Sequence, residues 1–263
     1  IKFDIGPNIL AGDPESMIGT PTKYELGMPR GMNRRWRAPG TGRGSKVTDR
    51  GIARMAEVVA AVREAAGWDV SLCIDHFGHG YMTAKEVIRL GRALAPYGLA
   101  WMEDPMPWWD IDGHRRVTEA IDVPTAAGEE LYLWDGFQRM IETRAVDIIH
   151  PDLLTSGGMR ETKRIADYAE RFGIPTALHF AGSPIAFMAN LHTAAAIPSF
   201  VALEHHGLDL PFWSDLVTGL ADPLLEEDGY VAVPEKPGLG VDLNEEGIEA
   251  NLREFSGLFE ATD

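Results

Sequence analysis

The chain has 263 residues, 45% of them hydrophobic and 24% charged, with a formal net charge of −16 at pH 7. That is enough apolar material for one packed domain, and so acidic a balance argues against nucleic acid or an anionic membrane surface as the main partner. A single cysteine, Cys73, excludes an intrachain disulfide, and no apolar run reaches the ~18–20 residues that a membrane span requires.

The first strand-like run is Phe3 to Ile5, preceded by Lys2. The chain starts without methionine and inside this strand, so further residues are expected upstream. No signal peptide is read at its start, and a reducing cytoplasm is the expected compartment. Residues 6–48 form a long connection rich in Gly, Pro and Met, a length that suits a lid-like or binding insertion. Between Lys23 and Lys46 it carries seven cations against one anion, Glu25. Two readings stand. The segment caps an anionic substrate, with Arg30, Arg34 and Arg35 as substrate-binding candidates, or it is a basic loop that pairs with an acidic neighbour or subunit.

From residue 49 strands and helices alternate. Asp49 can cap a helix whose apolar face is Ile52, Met55, Ala56, Val59 and Val62. Val70 to Asp75 reads as a strand holding Cys73, whose surroundings suggest a buried, inert thiol. Thr83-x-x-Glu86 is a capping-box signature before a helix with Val87, Leu90 and Leu94 on one face. Leu99 to Glu103 is the next strand, a helix follows around 112–121, and Val123 to Ala127 is another strand. A helix over Trp134 to Thr143 leads to a strand from Val146 to Ile149. Gly157-Gly158 precedes a helix carrying Ile165, Ala166, Ala169 and Phe172. Ile174 to His179 is a strand, Pro184 to Ala196 a helix and Phe200 to Glu204 a strand. The remainder, with Pro237-Gly-Leu-Gly-Val241 and a helix near 245–256, stands outside the repeat. The predicted division is thus a (β/α) catalytic domain over 1–222, including the 6–48 insertion, and a C-terminal segment over 223–263.

Seven strands separated by helices imply an α/β fold with a parallel sheet and right-handed crossovers. One more strand upstream would close an eight-stranded barrel. A doubly wound open sheet is the alternative, but no Gly-x-Gly-x-x-Gly turn supports dinucleotide binding.

Three acids fall at successive strand ends: Asp75, then Glu103 after 28 residues, then Glu129 after another 26. In an α/β barrel the C-terminal strand ends share one mouth, so these carboxylates are expected to converge. Like charges in a partly dry site need a cation between them, and hard oxygen donors select Mg²⁺, or Mn²⁺, over Zn²⁺. Asp152 and His179 end the next two strands. A hydrogen bond from the imidazole to Asp152 would fix its tautomer and raise its basicity, as a general base requires. Glu204 ends the last strand and is placed to hydrogen-bond a substrate oxygen. Lys2 is expected to stabilise developing negative charge from the opposite side, or to act as a base. Among the other histidines, His192 is expected to pack on its helix and His114 to be solvated, while His150 and the His205-His206 pair are expected near the mouth.

Trp101-Met-Glu-Asp-Pro105, Pro124-Thr-Ala-Ala-Gly-Glu129, Asp147-Ile-Ile-His-Pro-Asp152 with Gly157-Gly158, and Pro237-Gly-Leu-Gly-Val241 together resemble the enolase superfamily, mandelate racemase subgroup. The resemblance runs through nearly the whole chain after residue 69. It implies a modified TIM barrel of the (β/α)₇β type beside an α+β capping domain. The first strand and most of that domain are expected upstream of this chain, with residues 223–263 packing toward it. It also implies one Mg²⁺ per site on Asp75, Glu103 and Glu129, a His179–Asp152 dyad, and Glu204 as the acid on the last strand. Two departures stand out. Lys2-Phe3-Asp4 keeps only the first lysine of the Lys-x-Lys found in some members. Phe77 takes the place where some sugar-acid dehydratases carry an acid histidine, leaving His76 and His79 as candidates for that role and for substrate contact. The activity implied is removal of the proton α to a carboxylate, with dehydration of a sugar acid to a 2-keto-3-deoxy acid as the first expectation. Racemisation, epimerisation or cycloisomerisation is the alternative, and a non-catalytic barrel the distant one. The expected partners are a sugar acid or other hydroxy carboxylate and further copies of the chain, as a dimer or octamer.

Overall fold

The computed structural model describes residues 1–10, 13, 15–18, 46–75, 82–207, 210–222, 224–225 and 228–251. The chain divides into two compact units, one of Ile1–Gly128 and Gly136–Ile149, the other of Glu129–Asp135 and His150–Asp263. Among the described residues no helix is long and apolar enough to cross a membrane.

The first unit begins with β1 (Lys2–Asp4) and the single turn α1 (Pro7–Leu10). Two short strands, β2 (Met17–Ile18) and β3 (Lys46–Val47), pair antiparallel with Met17 opposite Val47, which ties together the described ends of the long connection. Helix α2 (Asp49–Ala66) follows, and its cap is Thr48, whose Oγ1 accepts from the Gly51 N–H at 3.1 Å. The sequence pointed to Asp49, but Thr48 has the extended backbone of a cap. Asp49 already lies in the first turn, where its charge suits the positive end of the helix. Gly51 is required here, because a side chain at that point would run into the Ser16 carbonyl.

Strand and helix then alternate through β4 (Leu72–Asp75), α3 (Ala84–Leu94), β5 (Leu99–Glu103), α4 (Ile111–Thr118), β6 (Thr125–Ala127), α5 (Leu133–Glu142) and β7 (Ile148–Ile149). Strands β1, β4, β5, β6 and β7 pair in parallel in that order. Every residue of β4, β6 and β7 is buried, as expected of strands covered on both faces. Helix α2 turns Ile52, Met55 and Val59 inward, and α3 turns Val87, Leu90 and Leu94 inward. Each such side chain contributes about 2 kcal/mol of burial. The α3 capping box is present: the Thr83 N–H donates to Glu86 Oε2 at 2.7 Å and the Glu86 N–H to Thr83 Oγ1 at 3.4 Å. Cys73 is buried on β4, and burial pushes its thiol up to about 11. His114 is not solvated as the sequence suggested. It is wholly buried on α4, three residues from both Ile111 and Val117, so the helical period places it on the inward face.

Arg63, near the end of α2, is buried and donates to four backbone carbonyls. Its Nε reaches Tyr97 O at 2.9 Å, Nη1 reaches Gly67 O at 2.8 Å and Val70 O at 2.6 Å, and Nη2 reaches Gly98 O at 3.1 Å. The Trp68 ring lies 4.9 Å from its Cζ. One guanidinium thereby joins the loop that leaves α2 to the loop that enters β5.

The second unit contains α6 (Leu153–Ser156), α7 (Gly158–Arg171), β8 (Thr176–Leu178), α8 (Pro184–Ala195) and β9 (Phe200–Leu203). Strands β8 and β9 are parallel, with Ala177 opposite Ala202. The one-turn α6 was not foreseen; Asp152 caps it, with Oδ1 accepting from the Leu154 N–H at 2.7 Å. Helix α8 is buried nearly all round, with Ser183 as cap and Pro184 in its first turn. Phe180, Phe187 and Trp213 pack together, and Trp213 Nε1 donates to Gly182 O at 2.8 Å. Strands β10 (Val217–Thr218) and β11 (Asp242–Leu243) pair antiparallel before α9 (Glu245–Asn251). His192 Nε2 donates to Leu239 O at 3.3 Å, linking α8 to this segment. All seven strands read from the sequence are present, and the class is α/β with parallel pairing.

Replacing Arg63 by Met would leave four carbonyls without their charged donor. We expect a loss of about 3 kcal/mol or more, since hydrogen bonds to charged groups contribute roughly 1.5–3 kcal/mol each. Lys at this position recovers only part, because a single ammonium cannot span the four acceptors. Urea unfolding midpoints measure both changes, and an unaltered midpoint for Arg63→Met would show that this knot carries no stability.

Candidate active site

In the first unit the parallel register places Asp75 opposite Glu103, at the ends of β4 and β5. Register partners on adjacent parallel strands point to the same face, about 5 Å apart. Both residues are buried, Glu103 completely. Two ionised carboxylates at roughly that spacing repel by about 3 kcal/mol at an effective dielectric of ~20. Lys2, on β1, answers part of this charge: its Nζ lies 2.7 Å from Glu103 Oε1. Trp101 Nε1 donates to the other oxygen, Oε2, at 3.2 Å. Asp104 follows with φ 43, so the chain turns sharply as soon as Glu103 has been placed.

In the second unit three acid and three imidazole side chains meet. His179 stands immediately after β8, and its backbone N–H donates to Pro151 O at 3.1 Å, which aligns it with Asp152. Its Nδ1 is 2.7 Å from Asp152 Oδ2, and its Nε2 is 2.7 Å from Glu129 Oε2. Glu204, just past β9, accepts the Phe180 N–H at Oε2 at 3.2 Å. That same oxygen lies 3.6 Å from His179 Nε2 and 3.7 Å from His150 Nε2. His150 Nδ1 donates to Ala177 O at 3.0 Å, which fixes its ring. On the outer side His206 Nε2 lies 2.7 Å from Glu204 Oε1. Thr155 Oγ1 donates to Glu129 O at 3.0 Å and so steadies the backbone that carries this acid.

The electrostatics of His179 follow from these neighbours. Burial alone would lower its pKa. The carboxylates of Asp152 and Glu129, each at hydrogen-bonding distance, outweigh burial and raise it to about 9. With a carboxylate at each nitrogen the ring is held as an imidazolium. Asp152 has one oxygen on the ring and the other on the Leu154 N–H, so the partner that orients His179 is itself fixed.

In the first unit the buried carboxylates of Asp75 and Glu103 offer hard oxygen donors with excess negative charge, a kind that suits Mg²⁺ or Mn²⁺. Asp75 and Glu103 come together in one unit, and Glu129, Asp152, His179 and Glu204 in the other. The candidates Arg30, Arg34, Arg35, His76 and His79 lie outside the described residues, as does most of the cationic segment. The sequence reading missed the Lys2–Glu103 and His179–Glu129 contacts; it set His150 and the His205–His206 pair near the mouth without naming Glu204 as the neighbour of His150 and His206. Strand-end spacing locates a residue along the chain but does not tell how far its side chain reaches.

Residues 32–247 match the enolase C-terminal domain-like family. The chain belongs to the enolase superfamily, in its mandelate racemase subgroup. It is 39% identical over 243 residues to the D-xylonate dehydratase of Haloferax volcanii, covering 90% of this chain and 55% of that protein. It is 34% identical over 206 residues to the D-galactarolactone cycloisomerase of Agrobacterium fabrum, covering 75% of this chain and 53% of that protein. Among solved structures, a mandelate racemase/muconate lactonizing enzyme-like protein of Rubrobacter xylanophilus matches with a TM-score of 0.75 and 36% identity, over 84% of this chain and 55% of that one. The chain therefore spans about half the length of the curated relatives it matches. Membership of this superfamily carries with it the (β/α) barrel class expected from the sequence, here as part of that fold.

In the protein stripped of metal, His179 should stay protonated well above the usual histidine range and release its proton near pH 9. Because the folded pKa is raised, its stabilising contribution is fully present below about pH 6.5 and fades as pH rises through about 9. Nitrogen chemical shifts of the ring should show two N–H groups at pH 7.5, and Glu129→Gln should lower the midpoint. A ring that titrates near 6.5 in the metal-free protein would contradict this geometry.

Proposed function

We propose that this chain is the catalytic part of a Mg²⁺-dependent lyase that removes the proton α to a carboxylate and dehydrates a sugar acid to a 2-keto-3-deoxy acid. The observation that carries the reading is His179, held at Nδ1 by Asp152 and facing acids at Nε2. The dehydratase relatives support the substrate class. Residues 1–222 are read as the barrel domain and 223–263 as a segment packing toward the capping domain of a longer protein. The working enzyme is read as a cytoplasmic homo-oligomer, a dimer or octamer.

Asp75, Glu103 and Glu129 are proposed to hold Mg²⁺, or Mn²⁺ in its place, on the strength of their strand-end spacing and the family likeness. The ion would supply charge stabilisation to a carboxylate that becomes a dianion when its α-proton leaves. The protein side chains do the rest. Asp152 keeps the Nδ1 proton of His179 in place, so that exchange occurs at Nε2. For turnover Nε2 must give up Glu129 and face the substrate carbon or its β-hydroxyl, and to serve as a base it first releases its own proton to solvent. As a base it takes the α-proton; as an acid it returns a proton to the departing hydroxyl, which leaves as water. The remaining enol becomes the 2-keto acid by moving its hydroxyl proton to solvent and accepting one at carbon 3. Lys2 and Glu204 are assigned to the substrate carboxylate, Lys2 as a cation and Glu204 as a hydrogen-bonding partner. Arg30, Arg34, Arg35, His76 and His79 remain proposed substrate contacts.

The test is a screen of the full-length protein with Mg²⁺ against a library of acid sugars, with 2-keto acids as the readout. His179→Asn should lower turnover by about 10²- to 10⁴-fold or more, the range for a lost general acid or base; full activity in that variant would remove the assigned residue. The cycloisomerase among the relatives supports a second reading, an isomerase that uses the same first step. In deuterated water that reading predicts deuterium at the α-carbon without loss of water, whereas dehydration yields a keto product.

A further inference from the structure

Away from these acids, the second unit carries a cationic hollow on the outer side of α7. Its volume is about 450 Å³, within the ~300–1,000 Å³ range of small-molecule sites. Arg160, Lys163, Arg164 and Arg171 line it with a single acid, Asp167, and the rings of Trp134 and Tyr168 form its apolar wall. This concentration of positive charge stands in a chain of net charge −16.

The internal ion pairs do not account for it. Lys163 is paired with Asp167, and Arg164 reaches Glu161 at 3.4 Å while its Cζ lies 4.4 Å from the Trp134 ring centre. Arg160 and Arg171 form no ion pair among the described residues. Helix stability does not explain Arg160 either. It lies in the first turn, where the helix dipole disfavours a cation, and four residues before Arg164, a like-charge spacing that costs a few tenths of a kcal/mol. Arg164 and Trp134 are held in place: the indole packs edge-on against Tyr168 at 4.6 Å, and the backbone N–H of Trp134 donates to Glu161 Oε1 at 3.2 Å. The hollow therefore presents guanidinium forks around a firm aromatic wall; Arg160 serves neither an ion pair nor the helix, while Arg171 in the last turn also answers the negative end of the helix. Such forks match the oxygens of phosphate and carboxylate groups two at a time.

We propose that this hollow is a second ligand site, for a small molecule that carries two or more closely spaced oxyanion groups. Arg160 and Arg164, one helical turn apart, bind its charges directly, Lys163 follows when the ligand competes with Asp167, and Arg171, roughly 16 Å along the helix from Arg160, adds positive charge at the far end of the hollow. The site is distinct from the acids around His179, which would repel such a ligand unless a metal were bound.

The test uses the full-length protein freed of metal, with thermal-shift and calorimetric titration against pyrophosphate in one arm and citrate in the other. Both should stabilise the protein at low salt, with the effect shrinking as salt rises. A response to pyrophosphate alone assigns phosphate as the preferred group, and a response to citrate alone assigns carboxylate. The double variant Arg160→Glu/Arg171→Glu, at exposed positions, should weaken binding by about tenfold or more while leaving sugar-acid turnover in Mg²⁺ unchanged. His179→Asn should bind both probes like the parent, which separates this site from the catalytic one. The proposal is overturned if neither probe binds. It is equally overturned if the double variant binds as the parent does, or if its only change is in oligomeric state.

Discussion

A carboxylate taken out of water must be met by positive charge, and this requirement shapes both units. Glu103 has no exposure at all, and Glu129 and Asp152 very little. An unpaired ion in such surroundings would cost several kcal/mol or take up a proton. Lys2 meets Glu103, and His179 meets Glu129 and Asp152 together. The oxygens assigned to Mg²⁺ are thus the ones that the protein covers with an ammonium and an imidazolium of its own. If the proposed ion takes Glu129, Nε2 of His179 loses the carboxylate that covers it, so metal loading and the freeing of that nitrogen would be linked.

Much of the framework was legible from the sequence, for a physical reason. Strands buried on both faces read as short apolar runs, and helices between them repeat every three to four residues. The two patterns together located all seven strands, and Thr83 with Glu86 located the start of α3. Asp75, Glu103, Glu129, Asp152, His179 and Glu204 were visible because each ends or follows a strand. The failures were local competitions. Thr48 took the cap from Asp49 because a cap is defined by backbone conformation, which adjacent polar residues do not reveal. His114 was read as solvated because its polarity was weighed ahead of its spacing from Ile111 and Val117. Arg63 drew no notice, since its four acceptors lie on two loops separated by a helix and have no sequence signature.

The superfamily relatives show why the acids alone do not name a reaction. A dehydratase and a cycloisomerase match this chain at 39% and 34% identity. One fold hosts several chemistries when the first step is shared and the groups around it vary. In this chain Asp4 stands in register with Asp75, and His206 lies 2.7 Å from Glu204.

The lone thiol has a practical use. Cys73 sits two residues before Asp75, inside the sheet of the first unit, with its thiolate form strongly suppressed. A disulfide reagent can reach it only when that sheet parts, so the rate of labelling measures the free energy of local opening. Within this chain, which holds no other cysteine, the signal comes from one known position. Followed with and without Mg²⁺, it would read how tightly an ion locks the strand that ends in Asp75.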